Sequence, residues 1–164
     1  MSDEIRLRPL EDSDLETLFE QQRDPEGVWM AGFTAGNPND HDEYLRTWSM
    51  IRTFEGTDIR VILYNGQVAG DIVLHVVPPG QLEVGYWLGR EFWGKGAATR
   101  ALQLFLDETP TRPLYARVLT DNIGSLRVLQ KCGFRITGEQ KEFANGRNAE
   151  VTLHTLTLDG DREQ

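Results

Sequence analysis

The sequence predicts a mixed α/β fold: a mostly antiparallel sheet with helices on both faces and one parallel strand, helix, strand unit inside it. Three observations lead there. Asn65-Gly66 and Asn145-Gly146 each separate two apolar, alternating runs, and Asn-Gly accepts the positive φ of a tight hairpin turn. The apolar run 82–89 leads into two spaced glycines, Gly94 and Gly96, after which Ala98, Ala101, Leu102, Phe105 and Leu106 recur at helical spacing. Pro110 and Pro113 then precede another apolar strand pattern at 114–120. A strand returning after a helix runs parallel through a right-handed crossover.

The elements follow in order. Residues 5–10 alternate apolar side chains with Arg6 and Arg8, as a strand does, and residues 11–14 (EDSD) cap a helix start with acids where its dipole favours them. Residues 24–40, rich in Gly, Pro, Asn and Asp, read as a loop holding at most a short helix; a second helix runs from Asp42 to about Phe54. Strands 60–64, 67–77 and 82–89 make an antiparallel meander, turning at Asn65-Gly66 and at Pro78-Pro79-Gly80. The helix opened by the glycines ends near Asp107. After strand 114–120, Asp121 or Asn122 caps a helix to Lys131, with Gly133 at its C′ position. Strands 134–143 and 150–158 close the fold, and the polar segment 159–164 reads as a frayed tail.

The chain's 164 residues suit one domain, 1–164, with a core that needs no metal or disulfide. A net charge of −9 speaks against nucleic acid and anionic membrane as partners, because phosphate surfaces need a basic face. It is compatible with a cationic amine. Residues 1–10 are too charged for a secretory signal, no window approaches a membrane span of roughly 20 apolar residues, and the lone Cys132 reads as a core thiol rather than a nucleophile. The expected setting is cytoplasmic.

Gly94 and Gly96 carry the chemistry. Without a Cβ they let main-chain amides approach a ligand, and the helix behind them offers unpaired amides and a positive dipole end to phosphate. Residues 89–95 nearly spell the nucleotide-binding pattern G-x-x-x-x-G-K-[ST]. The magnesium-binding hydroxyl is missing, because Gly96 stands where Ser or Thr is required. No metal is expected.

EFWGKGA (91–97) instead resembles the pyrophosphate loop of the GNAT acyl-CoA N-acetyltransferases, usually [QR]-x-x-G-x-[GA], and DNIGSLRVLQKCGF (121–134) resembles that superfamily's N-x-x-S signature followed by a helix and K-x-G-F. With LRPLEDSDLETLF near the start and GYWL before the loop, nearly the whole chain is similar to the branch that acetylates ribosomal-protein N-termini. Two positions depart: Glu91, with Arg90 before it, replaces the usual Gln or Arg, and Leu129 stands where many members carry the Tyr that protonates the thiolate. The resemblance implies acetyl transfer from acetyl-CoA to a primary amine, small molecule or protein N-terminus, in a ternary complex. It implies that the main chain of Tyr86, Trp87 and Leu88 pairs with the pantetheine arm, and that Phe92, Trp93, Gly94, Lys95, Gly96 and Ala97 hold the pyrophosphate. Asn122 would hydrogen-bond the arm, and Ser125 is the nearest hydroxyl for the leaving thiolate or else a helix hydroxyl satisfied locally. Lys95, Arg100, Arg127 and Lys131 supply positive charge on or beside the two motif helices.

Glu83 is the expected base, since the strand period of two puts it on one face with Gly85 and Trp87. Its alternative is structural pairing with Arg6, Arg8 or a hydroxyl. His75 is a weaker candidate; His41 and His154 have no motif around them. A non-catalytic acyl-CoA sensor or interaction module of the same fold is the alternative function. The acceptor would be recognised by residues 24–40 and the final hairpin, which carry no decodable motif.

Overall fold

A computed structural model describes residues 3–32 and 37–160. Its strands are β1 (Ile5–Pro9), β2 (Asp58–Tyr64), β3 (Gln67–Val77), β4 (Gln81–Leu88), β5 (Leu114–Leu119), β6 (Arg135–Ala144) and β7 (Ala149–Leu158). They form one sheet in the order β1-β2-β3-β4-β5-β7-β6. Every pairing is antiparallel except β4 with β5. The mixed sheet, the parallel unit and helices on both faces agree with the sequence reading.

Helices α1 (Leu15–Gln22), α2 (Pro25–Ala31) and α3 (His41–Ile51) lie between β1 and β2, where the sequence suggested two. The extra helix falls in the expected loop. Asp24 accepts from the Gly27 amide at 3.1 Å and Pro25 occupies the first turn, a start signal obscured by the surrounding loop-forming residues. Asp40 caps α3 through the Glu43 amide at 3.0 Å, and the helix stops at Ile51 rather than near Phe54. Of the expected recognition loop, residues 33–36 lie outside the described residues, as do 161–164 of the tail; Asp159 pairs with Arg135 at 2.7 Å.

Helices α4 (Ala97–Glu108) and α5 (Ile123–Lys131) cover the opposite face. Ala101, Leu102 and Phe105 pack with Ile62, Ile72, Val84, Leu114 and Leu156 in one continuous core. Fully burying each large apolar side chain contributes about 1.5–3 kcal/mol, so this face anchors the molecule.

The two Asn-Gly hairpins differ. Asn65 and Gly66 both have positive φ, 49° and 85°, as a tight two-residue turn demands. At the β6–β7 turn the positive φ belongs to Asn148, 52°, and Gly146 has another purpose: an added Cβ there would lie 2.7 Å from the Val28 carbonyl oxygen of α2.

One local feature shapes the site. Gly70 lets β3 approach β4 so closely that a Cβ on it would lie 2.0 Å from the Trp87 carbonyl oxygen. On its other side β4 meets β5 at a single register pair, Glu83 with Tyr115. Beyond that pair the two parallel strands separate, and a wedge opens in the middle of the sheet.

Candidate active site

The wedge is a cleft of about 530 Å³ lined by β4, β5, α2 and the first turns of α4 and α5. Its sides are half-unpaired strand, a place where an extended ligand can complete the sheet. A second hollow of about 550 Å³ lies beside Glu20, Gln21, Asp24 and Arg90. The wedge is the better candidate because it alone joins the opened strands, the glycine loop and Ser125.

At one end the chain turns through Gly94 and Gly96 with φ of 75° and 76°, a region costly for side chains with a Cβ. A Cβ built on either glycine would meet nothing within 4 Å. The positive φ explains the glycines, and the open space in front of them is room for a ligand. Gly96 is the N-cap of α4, no side chain caps that helix, and its first turn holds no acid, so its leading amides are left for an anion. Arg100, Arg127 and Lys131 are exposed and form no ion pair among the described residues. Lys95 lies 5.9 Å over the Tyr64 ring.

The other loop residues fix the loop in place. Phe92 is buried with its ring 5.5 Å from Tyr64, and the Trp93 indole donates to the Leu88 carbonyl at 2.9 Å. Ala97 is buried in the core. Arg90 pairs with Asp24 at 3.2 Å and Glu26 at 2.6 Å while its guanidinium lies 5.7 Å from the Trp93 ring. It ties the loop to α2.

Along β4 the side chains alternate. Tyr86 and Leu88 join the core under α4 and α5. Trp87 faces α1 and α2: its indole donates to the Gln21 carbonyl at 3.3 Å, and a Cβ on Gly27 would lie 2.9 Å from its ring. All three residues line the wedge. Tyr86 also reaches across to α5, where its hydroxyl donates to Ser125 Oγ at 3.2 Å.

Asn122 is the cap of α5, accepting from the Ser125 amide at 3.2 Å, while its Nδ2 donates to the Met30 carbonyl at 3.1 Å. Its side chain therefore links α5 to α2 at the wedge wall. Asp121 instead holds Arg147 through two bonds of 2.8 and 2.9 Å, and Arg147 lies 4.3 Å over the Trp29 ring. The Arg147 guanidinium holds the Asp121 carboxyl below its ordinary range. Leu129, at the position of the absent Tyr, is 4% exposed and belongs to the core. Burial pushes the Cys132 thiol up to about 11, and its Sγ donates to the Thr99 carbonyl at 3.6 Å. A thiol kept neutral in this way is not a nucleophile.

Glu83 lies in the wedge with its side chain 13% exposed. Arg117 grips it at 2.9 and 3.2 Å and also reaches Glu142 at 3.1 Å; His75 Nε2 lies 3.7 Å away. The sequence reading set Glu83 against Arg6, Arg8 or a hydroxyl, but Arg6 pairs with Glu4 and Arg8 with Asp14. Arg117 went unnoticed. As the one charge in the strand LYARVL, and on the face opposite Ala116 and Val118, it was open to detection by the period of two. Asp71 was missed as well. It shares its β3 face with His75, opposite Trp87, and burial pushes its carboxyl up to about 7.

Residues 4–135 match a family model described as an acetyltransferase (GNAT) domain. The chain belongs to the GNAT acetyltransferases. It is 28% identical over 171 residues to the putative ribosomal N-acetyltransferase YdaF of Bacillus subtilis (strain 168), covering 95% of this chain and 92% of the relative. Among solved structures it resembles a putative phosphinothricin N-acetyltransferase, with a TM-score of 0.80, 24% identity and coverage of 97% and 100% of the two chains. It also resembles RimL, a ribosomal L7/L12 alpha-N-protein acetyltransferase in complex with coenzyme A, with a TM-score of 0.78, 20% identity and coverage of 96% of each chain. As a GNAT acetyltransferase the chain is an enzyme of acetyl transfer. Among the described residues no group of three or more His, Cys, Asp or Glu side chains could hold a metal, and no helix is long and apolar enough to cross a membrane.

Proposed function

We infer that this acetyltransferase moves an acetyl group from acetyl-CoA to a primary amine, by direct attack while donor and acceptor are bound together. The observation that carries the reading is the wedge, which brings an opened strand edge, an uncapped helix start and a hydroxyl pair to one cleft. The residues suit the donor. The open cradle before Gly94 and Gly96 fits a pyrophosphate at the positive end of α4, and the free edge of β4 fits an extended arm adding as a strand. The main chain of Tyr86, Trp87 and Leu88 would hold that arm, the amides of residues 92–97 the phosphates, and Lys95 and Arg100 their charge. Bound there, acetyl-CoA supplies a thioester open to attack by an amine.

The chain's own side chains then divide the work. An amine arrives mostly protonated at neutral pH, and Glu83 takes that proton, directly or through a water; Arg117 fixes the carboxylate's direction, and His75 stands next in line. Ser125 donates to the departing sulfur. Asn122 sets Ser125 in place by capping α5 and holds α2 over the acceptor side through Met30. A free thiol has a pKa near 8.5, so its release at neutral pH needs modest help. We take residues 1–164 as one such domain acting in the cytoplasm, with a protein N-terminus or a small amine as acceptor. The ribosomal acceptors in the names of YdaF and RimL and the net charge of −9 support that class.

Release of free thiol from acetyl-CoA with a panel of peptides, amino acids and polyamines tests the reading, and turnover with at least one amine is expected. Binding of acetyl-CoA with no thiol release for any amine would favour a non-catalytic sensor. Leu129 in place of Tyr and the Arg117 grip on Glu83 are the observations on that side.

A further inference from the structure

Tyr86 entered the sequence reading for its main chain, yet its side chain has a specific partner. The phenol leaves β4 on the α4 and α5 side, is partly buried, and donates to Ser125 Oγ at 3.2 Å. Both residues line the wedge. A helix serine ordinarily returns its hydrogen to a carbonyl one turn back or gives it to water. Here the phenol takes a lone pair of Oγ, and the serine keeps one hydrogen to give. The direction is favoured by chemistry, since a phenol is a better donor than an alcohol. Burial raises the Tyr86 pKa, with the Ser125 bond opposing, so the phenol keeps its proton at neutral pH. The Ser125 amide is fixed by the Asn122 cap, so the serine's position is set at its backbone and its oxygen alike. No neighbour offers a substitute: Leu129 has no hydroxyl, and the Cys132 thiol is directed at the Thr99 carbonyl.

We propose that Tyr86 is a positioning residue of the acetyl-transfer site: its phenol holds Ser125 as a hydrogen-bond donor into the wedge, serving the thiol sulfur of bound coenzyme A. The inference rests on the donor reading above. A chain of two donors stabilises a thiolate more than a lone hydroxyl does, because each bond polarises the next. No proton need leave the protein. The consequence is a bound thiol that ionises more readily than a free one.

The test uses the full chain in excess over coenzyme A labelled with carbon-13 at the carbon bearing the thiol, whose chemical shift follows ionisation as pH is raised. With the unaltered protein the thiol is expected to titrate below its free value. Tyr86→Phe and Ser125→Ala should each return it toward that value by about one pH unit, a tenfold change in thiolate at fixed pH. The double variant should move it no further than Ser125→Ala does. In turnover, Tyr86→Phe should lower kcat while leaving the KM for acetyl-CoA in place. A Tyr86→Phe protein that binds coenzyme A and titrates like the unaltered one overturns the proposal, as does a double variant whose effects simply add. Should Tyr86→Phe fail to fold, Ser125→Ala is read alone, and an unmoved titration overturns the proposal. Failure of the unaltered protein to bind coenzyme A overturns the donor reading and this inference with it; binding with an unshifted thiol overturns the inference only.

Discussion

The two ends of the wedge are built on different principles. At the end proposed for the donor, Gly94 and Gly96 face open space and α4 begins without a side-chain cap, so recognition there would fall to main-chain amides whose placement depends on glycine and spacing. At the end proposed for the acceptor, side chains from separate strands, His75 of β3, Glu83 of β4, Arg117 of β5 and Glu142 of β6, are brought together by sheet pairing. A binding loop made of backbone is local in sequence and reads as a motif. A charge network assembled across strands is not local and has none.

The largest effect expected from this contrast is at the glycines. Gly94→Val or Gly96→Val places a branched side chain at positive φ in the open cradle, and calorimetry should show affinity for coenzyme A falling about 100-fold, or about 3 kcal/mol. The protein should still fold, at a strain of about 1–3 kcal/mol. Gly70→Ala should do the reverse, since its Cβ would strike the Trp87 carbonyl: thermal unfolding should show a large loss of stability. If Gly94→Val leaves affinity intact in a folded protein, the donor end is misplaced.

A smaller effect is expected at the acceptor end. Glu83→Gln should lower turnover about tenfold, with the loss greatest below neutral pH where more amine is protonated, and should leave coenzyme A affinity unchanged. Arg117→Met should raise the KM for the amine as well, because it releases both Glu83 and Glu142. Equal rates for Glu83→Gln at every pH would reduce the network to a structural one.

The smallest expected effect concerns Asp71, beneath Trp87. Its folded-state pKa of about 7 lies above the ordinary 3.8, so the stability it contributes is full below about pH 4 and is lost as pH rises through 7. Asp71→Asn should flatten that decline and leave the protein more stable than the parent at pH 8, measured by urea unfolding at several pH values. A variant less stable than the parent at pH 8 would show that the carboxylate has a partner worth keeping.

Legibility follows the same division. The Asn65-Gly66 hairpin, the glycine loop and the Asn122 cap were readable because each is set within a few residues. Helix α2 was allowed for within residues 24–40 but not placed, because its start signal, Asp24-Pro25, lies in a run of loop formers. The β6–β7 turn was read as an Asn-Gly turn, but the approach of α2 to Gly146, from more than a hundred positions away in the chain, gives that glycine its role. The strand period put Glu83 on one face with Trp87, but its partner Arg117 was not found, because the register of a parallel strand pair depends on the whole crossover between them. Tyr86 was valued for its main chain; its bond to Ser125 joins a strand to a helix 39 residues on.

The most direct test of the central claim, that the opened edge of β4 and the glycine loop hold the donor through their main chain, is amide hydrogen exchange of the full protein with and without coenzyme A. The account predicts slowed exchange at Gly94, Gly96, Ala97 and Ala98 and at the amides of β4 that face β5, with little change at β6. Protection confined to the hollow beside Glu20 and Asp24, or none at the glycine loop despite tight binding, would contradict it.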